Sequence, residues 1–253
     1  MLSVATWNIH KGFSQFNRRM VVHQLRDRLR SLNADIVFLQ EVQGLHLGHA
    51  QKHYDWPRQP QHEFLAEGVW SNHAYGRNMV YDHGHHGNAI LSRYEITASH
   101  NQDVTQLRFE KRGLLHCTVA LPTSSLTLHC VSVHLSLLAH SRRQQMDALS
   151  SRIEKLVPAN APVLIAGDFN DWRNHAHDLL AERLGLREVF AASATSGQRP
   201  ARSFPAFLPM FRLDRIYVRG LLPGICTLHH GAPWSAISDH AALSASLHLP
   251  GAS

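Results

Sequence analysis

The chain has only three cysteines in 253 residues, Cys117, Cys130 and Cys226, and no Cys-x-x-Cys pair. An odd number set inside apolar runs argues against a disulfide framework or a thiolate metal site, and points to reduced core thiols in a cytoplasmic protein. No apolar run approaches the ~18 residues of a membrane helix. From Met1 the chain passes directly into a strand-like segment, with no basic stretch followed by a long apolar one, so no secretory signal is expected. Charge is sparse, at 17% of residues, against an ordinary hydrophobic fraction of 44%. There is no G-x-S-x-G elbow and no P-loop, and His62-Glu63 lacks the second histidine of a zinc-protease helix. Serine hydrolase, nucleotide-triphosphate and zinc-protease chemistries therefore find no support. Repeats, low-complexity tracts and linkers are also missing, so one domain over 1–253 is expected.

What charge there is leans basic. Lys and Arg number 25 against 19 Asp and Glu, a formal net charge of +6. That balance favours a polyanionic partner, nucleic acid or an anionic phospholipid surface, although the Arg residues form no compact tract. The 21 histidines add positive charge as pH falls toward 6.

Apolar strand patterns stop repeatedly beside residues able to bind metal or move protons. Val163 to Gly167 ends in Asp168-Phe-Asn170, Leu2 to Trp7 ends in Asn8, and Ile36 to Leu39 leads to Glu41. Leu126 to Val133 ends in His134, and Ser238-Asp239-His240 opens a last alternating run. Five polar anchors at strand ends suggest one convergent site.

Between them, Val22, Leu25, Leu29 and Leu32 recur at helical spacing and predict a helix over 18–32, then a buried strand over 35–42: a β-α-β opening. Strands are expected at 88–91, 96–104, 113–121 and 126–134, the last two joined by a hairpin turn at 122–125. A helix over 142–157 buries Met146, Leu149, Ile153 and Leu156, with Ser141 and Gln144 expected to form a capping box. After the strand ending at Asp168 come a short helix near 177–184 and strands at 213–218, 224–229 and 241–249. Residues 44–87, rich in His, Gln, Gly and aromatics, read as loop. Hairpins mixed with α/β units indicate an α/β layered sandwich of mixed sheets.

Asn8, Glu41, Asp168, Asn170, Asp214 and Asp239 are oxygen donors without cysteine. Such a set suits Mg²⁺, or Mn²⁺, rather than Zn²⁺. Glu41 is the natural direct ligand, with Asn8 and Asp239 completing the metal shell. His134 and His240 can stabilise or protonate oxygens of a phosphate, Asp214 can hold His240, and Asp168 with Asn170 can activate water. Lys11 and Arg112 are candidate contacts to substrate phosphate, each with a solvated loop charge as the plain alternative. Asp214 has its own plain alternative, a surface ion pair with Arg212 or Arg215.

The ordered segments TWNIHKG, LQEV, GNAILSR, SVHL, GDFND, LDRIYV and SDH, from Asn8 to His240, resemble the endonuclease/exonuclease/phosphatase superfamily. That superfamily includes pancreatic-type deoxyribonucleases, abasic-site endonucleases, neutral sphingomyelinases and tyrosyl-DNA phosphodiesterases. The opening and the compact size look most like bacterial members of its sphingomyelinase-like branch. The resemblance implies a four-layer α/β/β/α sandwich with the site at one end of two packed sheets, and Mg²⁺-dependent cleavage of a phosphoester by activated water. It also implies that Glu41 and Asn8 hold metal, that His134 contacts phosphate, that Asp168 and Asn170 activate water, and that Asp214 orients His240 beside Asp239. One position departs: abasic-site enzymes carry an acid two residues after the first Asn, where this chain has His10.

Hydrolysis of nucleic acid is the leading expectation. The rival is a phospholipid head-group substrate, and a non-catalytic phosphate-binding module is the reading from another class. The segment Phe204 to Phe211, just before Asp214, is expected to pack as core; the lipid reading needs it exposed. His83, His85 and His86 read as solvated loop histidines.

Overall fold

The computed structural model describes residues 1–15, 18–122, 127–173, 175–192 and 200–249. In chain order its elements are β1 (Leu2–Asn8), α1 (Val22–Ser31), β2 (Ile36–His46), α2 (Leu47–Lys52), α3 (Gln61–Ala66), β3 (Asn72–Tyr81), β4 (Gly84–Ser92), β5 (Ile96–Asp103), β6 (Gly113–Ala120) and β7 (Thr127–His134). There follow α4 (Ala139–Leu156), β8 (Val163–Asp168), α5 (His175–Leu184), β9 (Arg187–Glu188), α6 (Val189–Ala192), β10 (Asp214–Arg219), β11 (Leu222–His229) and β12 (Ala242–His248).

The strands form two six-stranded sheets, ordered β11-β12-β1-β2-β4-β3 and β5-β6-β7-β8-β10-β9. Each has one parallel pair among antiparallel ones: β1 with β2, crossing over through α1, and β7 with β8, crossing over through α4. Period-two alternation explains the layers. Val4, Ile36 and Phe38 point inward to meet Leu115, Cys130, Leu164 and Ile216 of the other sheet. Their neighbours Ala5, Trp7, Val37 and Leu39 face outward, under Leu25 and Leu29 of α1 and Leu65 of α3. On the far side Val131, Val133 and Ile165 pack under Met146, Leu149 and Ile153 of α4 and Leu180 of α5. The result is the α/β/β/α sandwich.

Polar side chains join the two sheets near one end. Asn88 on β4 donates to the carbonyls of Gly113 and Ser132, and Gln40 on β2 donates to Ser132 Oγ at 3.3 Å. Gly167 has φ +145°, and a Cβ there would fall 2.0 Å from the Val133 carbonyl oxygen, so β8 can approach β7 this closely only through glycine.

Several expectations are corrected. Helix α1 begins at Val22, because Arg18 to Val21 belong to a loop in which Ser14 and Arg19 bond each other and Phe13 bridges Met20. The 44–87 stretch is largely regular: β2 runs on to His46, and β3 with β4 forms a hairpin. Ser141 caps nothing. Helix α4 starts after Leu138 with no side-chain cap, and Ser141 lies buried inside it. The loop before it is fixed from within the helix, with Ser136 N–H donating to Gln145 Oε1 and Arg142 donating to the carbonyls of Ser136 and Leu137. The β6–β7 turn at 123–126 lies outside the described residues. Cys117 and Cys130 face each other in register as free thiols, and burial pushes Cys117 up to about 12.

Phe204 to Phe211 is not core. Phe207 and Leu208 are 61% and 60% exposed, and Met210 and Phe211 are exposed as well. The segment folds into a short hairpin closed by the Phe204–Phe211 bridge, with Leu208 N–H donating to Pro205 O and Met210 N–H to Phe204 O. A loop that meets its own backbone needs within itself can carry its apolar tip into solvent.

Candidate active site

The expected residues arrive at one end of the sandwich by strand register. Asn8 and His134 end β1 and β7, Asp168 ends β8 opposite His134, and Asp214 starts β10 opposite Asp168. His240 lies just before β12. Ser238 Oγ donates to the Asn8 carbonyl at 2.7 Å and accepts from His240 N–H, while Trp7 Nε1 donates to His240 O at 2.8 Å. The chain's last motif is thereby locked to its first strand.

Asn8, Glu41, Arg112, His134, Asp168, Asn170 and His240 line one cavity of about 430 Å³, with Leu137, Trp172, Phe204, Phe211 and Leu213 as its apolar walls. A larger hollow of about 560 Å³ beside α4 and α5 touches His140, Arg143, Leu179 and Glu182 but gathers no comparable set of carboxylates and imidazoles.

Asp168 is the hub. Its Oδ2 accepts from Asn8 Nδ2 at 3.2 Å and lies 3.5 Å from His134 Nε2 and 3.8 Å from His240 Nε2. Its Oδ1 accepts from the Asn170 N–H, and Asn170 Nδ2 donates to Leu135 O, which leaves the Asn170 carbonyl oxygen as its acceptor group. Asp214 holds His240 Nδ1 at 2.7 Å. The plain alternative for Asp214 fails, because Arg215 is itself buried and turned toward Asp171.

Strain is concentrated here. Among the described residues, those other than glycine with positive φ are His10, Lys11, Asn33, Glu41 and Asn170, and all but Asn33 belong to this end of the molecule. Holding residues in that region costs ~1 kcal/mol or more each, tolerated where neighbours fix the geometry. Glu41 owes its turn to a bulge between Leu39 and Val42 in the β2–β4 pairing.

The electrostatics separate the two histidines. Burial drives His134 well below the ordinary range, and Arg112 and His240 add to it, so it is a neutral imidazole. Burial also works against charging His240, but Asp214 overrides it and raises His240 to about 10, so it is imidazolium. Burial pushes the Asp168 carboxyl up to about 6, with His240 opposing and Asp214 adding to the rise. For Glu41 burial opposes ionisation, yet the combined field of Lys11, His10, His240 and His86 leaves its carboxyl below the usual range.

Asp239, Lys11 and Arg112 sit differently from the other predicted residues. Asp239 does not line the cavity; its half-buried carboxylate acts on His240 through its field, and its Oδ1 is buried with no hydrogen bond. Lys11 Nζ lies 3.7 Å from Glu41 Oε2, and Arg112 Nη2 is held at 2.9 Å by Glu110 Oε1. His10, at the departing position, turns its ring to the Phe13 carbonyl while its N–H donates to Asn8 Oδ1.

The donor set fits a hard cation. Glu41 Oε1 lies 3.5 Å from the Asn8 amide nitrogen, beside the Asp168 carboxylate, while Asn8 Oδ1 accepts from the His10 N–H, and no thiolate lies among the cavity's lining residues. Asp168, Asp214 and His240 also approach one another within 4.8 Å. With Asp214 and His240 already bonded, that trio is better suited to holding a proton, leaving Asn8 and Glu41 for an ion.

The sequence reading missed Glu110, Asp171, Arg142 and Arg215. Glu110 accepts from Arg112, the Ser136 hydroxyl and the Leu137 N–H, joining the cation to the rim. Asp171 is buried between Arg215, at 3.5 Å, and Arg142, at 3.9 Å. The second Asp of GDFND and the Arg of LDR are the available signals.

Two packed mixed sheets carrying acids, amides and two oppositely poised imidazoles at one end define a phosphoester hydrolase. The chain belongs to the endonuclease/exonuclease/phosphatase family, whose model matches residues 5–240. It is 47% identical over 246 residues to the Escherichia coli K12 protein YbhP, covering 97% of this chain and 96% of that one. Among solved structures it is similar to an endonuclease/exonuclease/phosphatase from Beutenbergia cavernae, with TM-score 0.75, 21% identity, and coverage of 99% of this chain and 72% of that one. It is also similar to D. rerio TDP2 complexed with a single-strand DNA product, with TM-score 0.68, 21% identity, and coverage of 98% of each chain.

Proposed function

We propose that this chain, as one catalytic domain, is a Mg²⁺-dependent phosphodiesterase, with Mn²⁺ as a competent substitute. Water attacks phosphorus and one P–O ester bond breaks. The central place of Asp168, within 4 Å of Asn8, His134 and His240, carries the reading.

Asn8 and Glu41 would hold the ion, while Asp239, expected as a third ligand but lying outside the cavity, would act through its field on His240. The ion supplies Lewis-acid polarisation of the phosphate and neutralises its charge. Asp168 takes the proton of the attacking water, and the Asn170 carbonyl orients that water. An elevated carboxyl pKa makes Asp168 a better base than an ordinary aspartate and leaves it ionised at neutral pH. His240, kept charged by Asp214, stabilises the crowded phosphorane-like transition state and can give its proton to the leaving oxygen. Neutral His134 offers a hydrogen bond without adding a second buried charge. Arg112, and Lys11 once Glu41 engages the ion, meet the remaining phosphate oxygens.

Two substrate classes are compatible with this machinery. Nucleic acid draws support from the net charge of +6 and from the likeness to TDP2 with its DNA product. A phospholipid head group is favoured by the exposed apolar hairpin at the mouth. The free thiols support a cytoplasmic setting, and among the described residues no helix is long and apolar enough to cross a membrane. The test is hydrolysis of bis(p-nitrophenyl) phosphate with Mg²⁺. Turnover abolished by Asp168→Asn and by EDTA is expected, and turnover unaffected by either change would refute the mechanism.

A further inference from the structure

The mouth of the cavity is ringed by apolar side chains pointing outward. They come from separate loops: Leu137 and Leu138 after β7, Trp172 after β8, and Phe207, Leu208 and Met210 in the hairpin before β10. A fourth loop, between β5 and β6, carries Phe109 at 77% exposure and is tied to the Leu137 loop through Glu110. Exposed large apolar groups scattered singly need no explanation, but a group gathered around one opening does.

These tips are held firmly. Ala206 N–H donates to the Asp239 carbonyl at 2.7 Å, Gly231 N–H to the Ala206 carbonyl, and Ala241 N–H to the Ser203 carbonyl at 2.7 Å. The Phe204 ring rests 5.0 Å from that of His240. The hairpin is thus fastened to both sides of His240 with its tip outward. Trp172 lies over the buried guanidinium of Arg142, 5.5 Å from ring centre to Cζ.

The charge on the same loops has one sign. Residues 104–112, 135–143, 169–173 and 200–213 contain eight Lys and Arg but only two acids, Glu110 and Asp171. Glu110 is bound by Arg112, and Asp171 is buried against Arg142 and Arg215. Exposed Arg108, Arg173 and Arg202 each stand in the same loop as an outward apolar tip. Apolar tips beside cations match the interface of an anionic bilayer, where hydrocarbon lies a few ångströms below phosphate.

We propose that this face is a membrane-docking surface. It seats on an anionic phospholipid bilayer and presents phosphodiester lipid head groups to the cavity. The substrate class rests on the phosphodiesterase reading above, while the docking does not depend on it. Single-stranded nucleic acid fits less well. Stacking platforms need continuous flat aromatic faces, whereas Leu137, Leu138, Leu208 and Met210 set aliphatic tips among Phe109, Trp172 and Phe207 on this rim.

The test is co-sedimentation of the full chain with vesicles of phosphatidylcholine alone and of phosphatidylcholine with about one-third phosphatidylglycerol, in EDTA. Binding to the anionic vesicles only, weakened by salt, is expected. The double variant Phe207→Ser/Leu208→Ser should bind roughly tenfold more weakly while hydrolysing soluble bis(p-nitrophenyl) phosphate at the wild-type rate. A wild-type chain that leaves anionic vesicles unbound, or a double variant that binds as well as wild type, overturns the proposal. Capture of single-stranded DNA without vesicle binding overturns it too, and assigns the face to nucleic acid. Vesicle binding without turnover supports docking and counts against the reaction alone.

Discussion

Asp168 and Asp214 stand directly opposite each other on β8 and β10, yet only Asp214 is hydrogen-bonded to His240, at 2.7 Å, while Asp168 stays 3.8 Å from the other ring nitrogen. One carboxylate fixes the imidazole, and the other remains free to meet water. The two should therefore fail differently. Asp168→Asn is expected to lower kcat by ~10³-fold or more, with the pH profile of any residual activity losing its acid limb. Asp214→Asn is expected to cost ~10²–10⁴-fold and to pull the alkaline limb down, because His240 loses the charge that keeps it protonated.

For the wild-type chain, the proposed mechanism needs Asp168 deprotonated and His240 protonated. With Asp168 at about 6 and His240 at about 10, kcat/KM should rise with pH through about 6, hold a plateau, and fall near 10. Saturating Mg²⁺ should move the acid limb lower, since a nearby cation favours the carboxylate. Rates on bis(p-nitrophenyl) phosphate across that range check both limbs; a profile flat between pH 5 and 8 would contradict the assignment of Asp168 as base.

In the proposed mechanism Glu41 bears on metal alone. Its carboxyl already sits low in the field of Lys11, His10 and His240, and it turns into the cavity on a positive-φ residue. Glu41→Gln keeps shape and removes charge. Calorimetry should show Mn²⁺ affinity falling roughly tenfold or more, with the far-ultraviolet circular dichroism unchanged. Equal affinity in the two proteins would take Glu41 out of the ion site.

Stability is tested behind the cavity. Arg215 is buried, bonds to the Asp171 carbonyl and the Tyr217 hydroxyl, and lies 3.5 Å from the Asp171 carboxylate. Arg215→Met strands a buried charge, so a loss of ~3–5 kcal/mol is expected, or roughly 10 °C in Tm. Adding Asp171→Asn should recover part of it. A single variant as stable as wild type would show the pair to be ornamental.

The legible parts of this molecule are those where burial and spacing act together. The strands that end in Asn8, His134 and Asp168 are buried almost throughout before their anchors, and register then brings those anchors to one end. Residues 72–81 hid their strand because β3 lies at a sheet edge, where Asn72, His73, Arg77 and Asn78 interrupt the apolar pattern. Ser141 misled because a capping motif is local, whereas the helix start is set by Arg142 and Gln145 reaching back to the preceding loop. Phe204 to Phe211 misled more instructively. Composition says bury, but a hairpin pinned through Ser203 and Ala206 to Ala241 and Asp239 carries its tip outward. The buried Arg142–Asp171–Arg215 group was invisible because charge in a sequence reads as surface.

The most direct measurement is hydrolysis of bis(p-nitrophenyl) phosphate in ¹⁸O-labelled water, with Mg²⁺ and with EDTA, for wild type and for folded Asp168→Asn and His240→Ala. Expected are Mg²⁺-dependent turnover by wild type, one solvent oxygen in the p-nitrophenyl phosphate released, and rates near background for both variants. Turnover that survives EDTA, or wild-type rates in either variant, would contradict an ion-assisted attack of water organised around Asp168.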